Sequence, residues 1–222
     1  MQVVTLIGSP VGRSLSPQMQ NAAFAARGLD WTYVASEVPA DKLAEAVEGL
    51  VALGFAGANV TAPYKLDVAR LVGSDLPSVN TLVVRDGRIE AYSTDAAVLG
   101  GLEFERPAIV GDGGAAAAFK QTLPAARVFS RRGEWPPDVA DSDLVVHATP
   151  VRDEPIVELR AGQTLVDLPY PESATAEAAR AAGARVFDGL GVLVAQGAAS
   201  FELWTGMPAP VDVMRRAVGL AS

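Results

Sequence analysis

The chain has 222 residues, half of them apolar, and a formal net charge of −8. That is enough apolar material for one large or two small domains, and the wrong sign for a broad basic face that would grip nucleic acid or an anionic membrane. No cysteine occurs and His147 is the single histidine, which excludes disulfides, thiolate metal centres, a cysteine nucleophile and two-histidine zinc motifs.

The opening MQVVTLIG carries no basic leader, and no apolar run approaches the ~20 residues of a membrane span, which predicts a cytoplasmic protein. VVTLIG (3–8) reads as a buried strand. Ser16 as N-cap, Pro17 at the first helical position and Gly28 as the stop then predict a helix. WTYVASEV (31–38) alternates as a half-buried strand. Leu43, Ala46, Val47, Leu50 and Val51 mark one helical face, Gly54 closes that helix, and FAGANVT begins the next strand. Strands alternating with helices of about a dozen residues imply parallel β-α-β units.

NVTAPYKL (59–66) crowds Asn59, Thr61 and Lys65 at the tip of a strand, where an α/β protein usually places its chemistry. Taken alone, the same residues read as a solvated turn with a surface lysine. NTLVV and IEAY flank RDG, and Asp86-Gly87 predicts a hairpin on an edge of this first sheet.

A second α/β register starts with a strand at 108–111, followed by a glycine turn and an alanine-rich helix. Further strands are predicted at 126–130, 143–149, 164–170 and 184–189, and two helices at the C-terminal end. Gly111, Gly113 and Gly114 occupy a strand-to-helix turn where a backbone can approach a pyrophosphate, although a plain tight turn accounts for them too. The tip of the following strand reads SRRGE. Arg131 and Arg132 stand where an adenine-ribose 2′-phosphate would lie, which predicts NADP over NAD. Asp112 has to face away from a bound pyrophosphate or weaken it. His147 ends a strand and reads as a hydrogen-bonded filler, with no serine in a nucleophile-elbow turn to support hydrolase chemistry.

SLSP with Asn21, GANVTAPYK, VNTL, STD, VGDGGAA and DGLGVLVAQGAASFELWTG, in this order, resemble the shikimate dehydrogenase family. The resemblance implies an α/β fold of two open domains. Residues 1–96 and 195–222 would form a substrate-binding catalytic domain and 97–194 a trimmed, Rossmann-type NADP domain, with the active site in the cleft between them. It implies reversible NADP-dependent reduction of 3-dehydroshikimate to shikimate, a step of aromatic amino acid biosynthesis, by a monomer or homodimer whose partner is a small molecule. Carried over by position, Lys65 and Asp95 are the catalytic pair. Ser14, Ser16, Asn59, Thr61, Asn80, Thr94, Tyr170 and Gln196 fall on the substrate side, and Gly111, Gly113, Gly114, Ala115, Ser130, Arg131, Arg132, Thr149 and Gly189 on the cofactor side. Side chains that both donate and accept suit a small acid with several hydroxyls, and a lysine suits the proton that must move when an alcohol carbon exchanges a hydride.

The departures from the family pattern cluster on the cofactor side: Ser93 for an asparagine, Ser130-Arg131-Arg132 for Asn-Arg-Thr, His147 for the amide of Asn-Ala-Thr, and Val192 for a methionine. The chain is also short by one helix-strand unit after Arg132, and shorter between Lys65 and Asn80. Two alternatives follow: a dehydrogenase for quinate or another shikimate-like polyol acid, or a shikimate-binding homologue with weak or no reductase activity.

Overall fold

The computed structural model describes residues 1–221, which divide by their contacts into two units: Met1–Thr94 with the chain from Leu193 onward, and Asp95–Val192. The first unit contains β1 (Gln2–Gly8), α1 (Ser16–Ala26), β2 (Trp31–Glu37), α2 (Leu43–Ala52), β3 (Gly57–Val60), α3 (Lys65–Leu71), β4 (Thr81–Arg85) and β5 (Arg88–Tyr92). Its sheet has the order β2-β1-β3-β4-β5. The first three strands are parallel, and the β4–β5 hairpin is appended antiparallel to β3. Asp86 and Gly87 both have positive φ, 50° and 70°, as a two-residue hairpin turn requires.

Ile7, Ala58, Val60 and Leu82 cover one face of that sheet and meet Leu43, Val47 and Leu50 of α2 and Val68 of α3. Each fully buried aliphatic side chain of this kind contributes about 1.5–3 kcal/mol. Because side chains alternate along a strand, Asn59 lies on the opposite face from Ala58 and Val60. On that opposite face Phe24 of α1 stacks on Phe201 with ring centroids 5.5 Å apart. Helix α1 differs from the sequence expectation in one detail. Ser16 is its first helical residue and Leu15 takes the cap position without a side-chain bond. Ser14 Oγ accepts the Ser16 N–H at 3.2 Å, so the capping bond comes from two residues upstream.

The second unit contains β6 (Pro107–Val110), α4 (Gly114–Thr122), β7 (Arg127–Phe129), β8 (Leu144–His147), β9 (Thr164–Asp167), α5 (Ala174–Ala181) and β10 (Arg185–Phe187). All five strands are parallel, in the order β10-β9-β8-β6-β7. Successive residues serve opposite faces. Ile109, Leu144, Val146 and Val166 pack with Phe119 of α4, while Ala108, Val110, Val145 and Leu165 pack with Ala176 and Ala179 of α5. A parallel sheet covered on both faces needs such near-continuous apolar strands. Against the doubly wound order 3-2-1-4-5-6, the strand that would lie outside β7 is missing. Residues 130–143 join β7 to β8 without a helix or a strand, which is the trimming expected from chain length. Helix α6 (Gly189–Thr205) begins in this unit and continues into the first, followed by α7 (Val211–Ala217). Among the described residues no helix is long and apolar enough to cross a membrane.

Candidate active site

Two groups of polar residues stand out, one in each unit. In the first unit the turn after β3 is held at both ends. Asn59 is 4% exposed; its carboxamide oxygen accepts from the Tyr33 hydroxyl at 2.8 Å, and its amide faces Asn80 O, Thr81 Oγ1 and Ser200 Oγ at 3.0–3.1 Å. Tyr64 is buried and donates its hydroxyl to Val38 O at 2.6 Å, which fixes the backbone just ahead of Lys65. Lys65 is half-buried and is the first residue of α3.

Asn80 continues the network. Its Oδ1 accepts from Thr94 N–H at 2.7 Å, and its Nδ2 donates to Thr94 Oγ1 at 3.0 Å and Gln196 Oε1 at 3.3 Å. Asn59, Asn80, Thr81, Thr94 and Ser200 are all buried, and each is satisfied by the others. Leaving one such group unpaired costs about 1–3 kcal/mol, so the cluster fixes its own geometry. Thr81 and Ser200 were missed in the sequence reading. Ser200 lies four residues after Gln196 on the same face of α6, and that spacing was the available signal. Gly57 permits the close approach behind this cluster, because a Cβ there would lie 2.2 Å from Leu82 O, the atom that accepts the Trp204 indole N–H at 2.9 Å. Asn21, part of the SLSP motif region, grips both Tyr33 N–H and Tyr33 O on the open edge of β2. Ser14 and Thr61 are partly exposed at the ends of loops, and Ser16 is buried at the start of α1.

In the second unit Gly111 directly follows β6 with φ +134°, and a Cβ would sit 2.6 Å from Ala148 O. Only glycine fits there. Gly113 caps α4 and Gly114 begins it, and a Cβ on Gly113 would meet nothing within 4 Å. A hollow of about 320 Å³ opens beside this turn, lined by Gly111, Ser130, Arg131, Arg132, Trp135 and Thr149 among others. Arg131 lies over the Trp135 ring at 5.7 Å, and Arg132 Nε is 3.7 Å from Asp112 Oδ2. A glycine turn at a helix N-terminus, two cations and an aromatic plane around one cavity fit a phosphate-bearing nucleotide. Asp112 also lines the cavity, so it does not face wholly away from the phosphate site. Trp135 was not foreseen; an aromatic within the polar run RRGEWPP was the signal for it.

Gly113, Gly114, Ala115 and Gly189 do not line this hollow. Gly189 has a packing reason of its own, since a Cβ would lie 2.2 Å from Pro169 O. Tyr170 is partly exposed just beyond β9. Asp95 is 7% exposed and opens a short 3-10 helix at the start of the second unit. His147 is fully buried, with Nδ1 2.6 Å from Asp167 Oδ1 and Nε2 2.6 Å from Thr149 Oγ1.

Residues 6–80 match the family model for the shikimate dehydrogenase substrate binding domain, and residues 189–218 match that for the shikimate 5'-dehydrogenase C-terminal domain. A shikimate dehydrogenase (NADP(+)) of an Anaeromyxobacter species is 38% identical, with 96% of this chain and 94% of that protein covered. The chain belongs to the shikimate dehydrogenase family. The shikimate dehydrogenase (NADP(+)) of Methanopyrus kandleri is 37% identical over 97% of this chain and 94% of its own length. Among solved structures, the shikimate dehydrogenase of Aquifex aeolicus superposes with a TM-score of 0.87 at 28% identity, covering 99% and 98% of the two chains. The shikimate 5-dehydrogenase of Thermus thermophilus in complex with NADP(H) and shikimate gives 0.84 at 28% identity, covering 98% of each. The Anaeromyxobacter alignment runs over 262 positions against the 222 residues of this chain, so that shikimate dehydrogenase has residues without a counterpart here. The connection at 130–143, reduced to a loop, is one place where this member of the shikimate dehydrogenase family is shorter than the full doubly wound pattern.

Proposed function

We propose that this chain catalyses the reversible NADP-dependent reduction of 3-dehydroshikimate to shikimate. The observation that carries the reading is the pair Arg131 and Arg132 on the hollow beside the Gly111 turn, in a chain that aligns along almost its whole length with NADP-dependent relatives. When bound, NADPH supplies the hydride. Lys65 gives a proton to the ketone oxygen of the substrate in the reductive direction and receives it in the oxidative one. Asp95 orients the Lys65 ammonium and the substrate hydroxyl. Ser14, Ser16, Thr61, Asn80 and Gln196 hold the substrate's hydroxyls and carboxylate, with Thr94 and Asn59 keeping Asn80 in place from behind. Tyr170 is assigned to the same substrate.

A matrix of NADP and NAD against shikimate and quinate tests this. Turnover is expected with shikimate and NADP, and NADH should replace NADPH poorly because it lacks the phosphate that two arginines would meet. Equal turnover with both cofactors would remove the role given to Arg131 and Arg132, and preference for quinate would move the substrate to another polyol acid. The loop at 130–143 favours a second reading, a shikimate-binding homologue with weak catalysis. Shikimate binding without measurable NADP affinity is the outcome that selects it.

Asp112→Asn should tighten NADPH binding about two- to fivefold, since it removes a carboxylate from the cavity and releases Arg132 from a 3.7 Å contact. Titration of NADPH fluorescence measures this. Weaker binding in the variant would show that Asp112 supports the site.

A further inference from the structure

The two nitrogens of His147 face different partners, and the contacts around them fix Nδ1 as a donor. His147 and Asp167 end neighbouring strands and are paired in register. Ser173 Oγ accepts the Ala176 N–H as the cap of α5 and donates its own hydroxyl proton to Asp167 Oδ1 at 2.9 Å. Oδ1 is thus already an acceptor, and the 2.6 Å contact with His147 Nδ1 has to be an N–H donating to it. A proton on Oδ2, which is buried and has no partner, would leave both contacts at Oδ1 unchanged.

A neutral imidazole protonated at Nδ1 has a bare Nε2, which can only accept. Thr149 Oγ1, 2.6 Å away, supplies the donor. The single hydroxyl proton of Thr149 is then committed inward, while Val151 N–H donates to the same oxygen at 3.3 Å. What Thr149 has left for the nucleotide hollow is a lone pair. We infer that His147, held as the neutral ring, is a positioning residue that fixes Thr149 as a hydrogen-bond acceptor in this hollow, so that the bound cofactor must meet it with a donor, a ribose hydroxyl or the adenine amino group, and not with a phosphate oxygen.

The lining of the hollow says which half of the cofactor that is. Thr149 follows β8 and the two arginines follow β7, on opposite sides of β6 and its glycine turn, yet all three line one hollow. The arginines mark the end that takes the 2′-phosphate, so Thr149 serves the adenosine half. The inference rests on the NADP reading above, and its test separates the two.

Because the chain has one histidine, protein labelled with 15N-histidine gives one imidazole spectrum, with no variant required. A neutral ring protonated at Nδ1 is expected in the ligand-free protein. A neutral ring protonated at Nε2, or an imidazolium at neutral pH, would overturn the inference. In binding assays Thr149→Val should weaken NADPH and adenosine 2′,5′-bisphosphate, which keeps the adenosine half, about tenfold each, and NADH by the same factor. His147→Phe should weaken all three likewise. A loss that spares NADH would place the hydroxyl on the 2′-phosphate, and a loss that spares the bisphosphate would place it on the nicotinamide half; either refutes the assignment. Absence of any nucleotide binding in the unmodified chain would instead refute the NADP reading.

Discussion

Lys65→Ala is expected to lower kcat for shikimate oxidation by about 10²- to 10⁴-fold, the usual range for loss of a positioned acid or base. The backbone of the turn should be kept, because the neighbouring Tyr64 anchors it through its own bond to Val38 O. NADPH affinity should stay within about twofold, because Lys65 is not among the residues that line that hollow. Lys65→Arg should be nearly as inactive, since a guanidinium does not release its proton in this pH range. Steady-state nicotinamide absorbance, a thermal melt and titration of NADPH fluorescence check these four statements. Near-normal turnover in the alanine variant would take Lys65 out of the reaction.

Gly111→Ala should have the second large effect, on the cofactor. The new methyl would lie 2.6 Å from Ala148 O at a φ of +134°, and together strain and overlap cost about 3 kcal/mol or more. Relief has to come from moving Ala148, which stands between His147 and Thr149. NADPH binding is expected to fall about 100-fold or more. Gly113→Ala is the internal control: with φ −84° and nothing within 4 Å of the added carbon, it should bind NADPH within a few-fold of the parent. Similar losses for the two variants would mean that the turn tolerates or rejects side chains for a reason other than this approach to Ala148.

The elements legible in the sequence were those with local causes. Period and punctuation located the strands and all the helices but α3 and α5, and Asp86-Gly87 located the hairpin, because each depends on a few adjacent residues. The missing strand was legible through distance along the chain, since 130–143 is too short to hold a helix and a strand with their turns. Contacts made in register were not legible. His147 meets Asp167 because β8 and β9 align those two residues, and Thr81 meets Ser200 across more than a hundred residues of chain. The cap of α1 was misplaced for a related reason: Ser14 and Ser16 are both good capping residues, and the loop geometry decides between them.

The loss of an outer strand beside β7 leaves the second sheet with a raw margin three residues long, whose Val128 is 39% exposed. Such a margin invites another chain to add itself. The segment that replaced the strand limits this, because Glu134 ties back to Arg127 at 2.7 Å and Asp138 O lies within reach of the same guanidinium. Shortening that segment further would strip the guard from the margin, so the same stretch that borders the nucleotide hollow also shields the sheet.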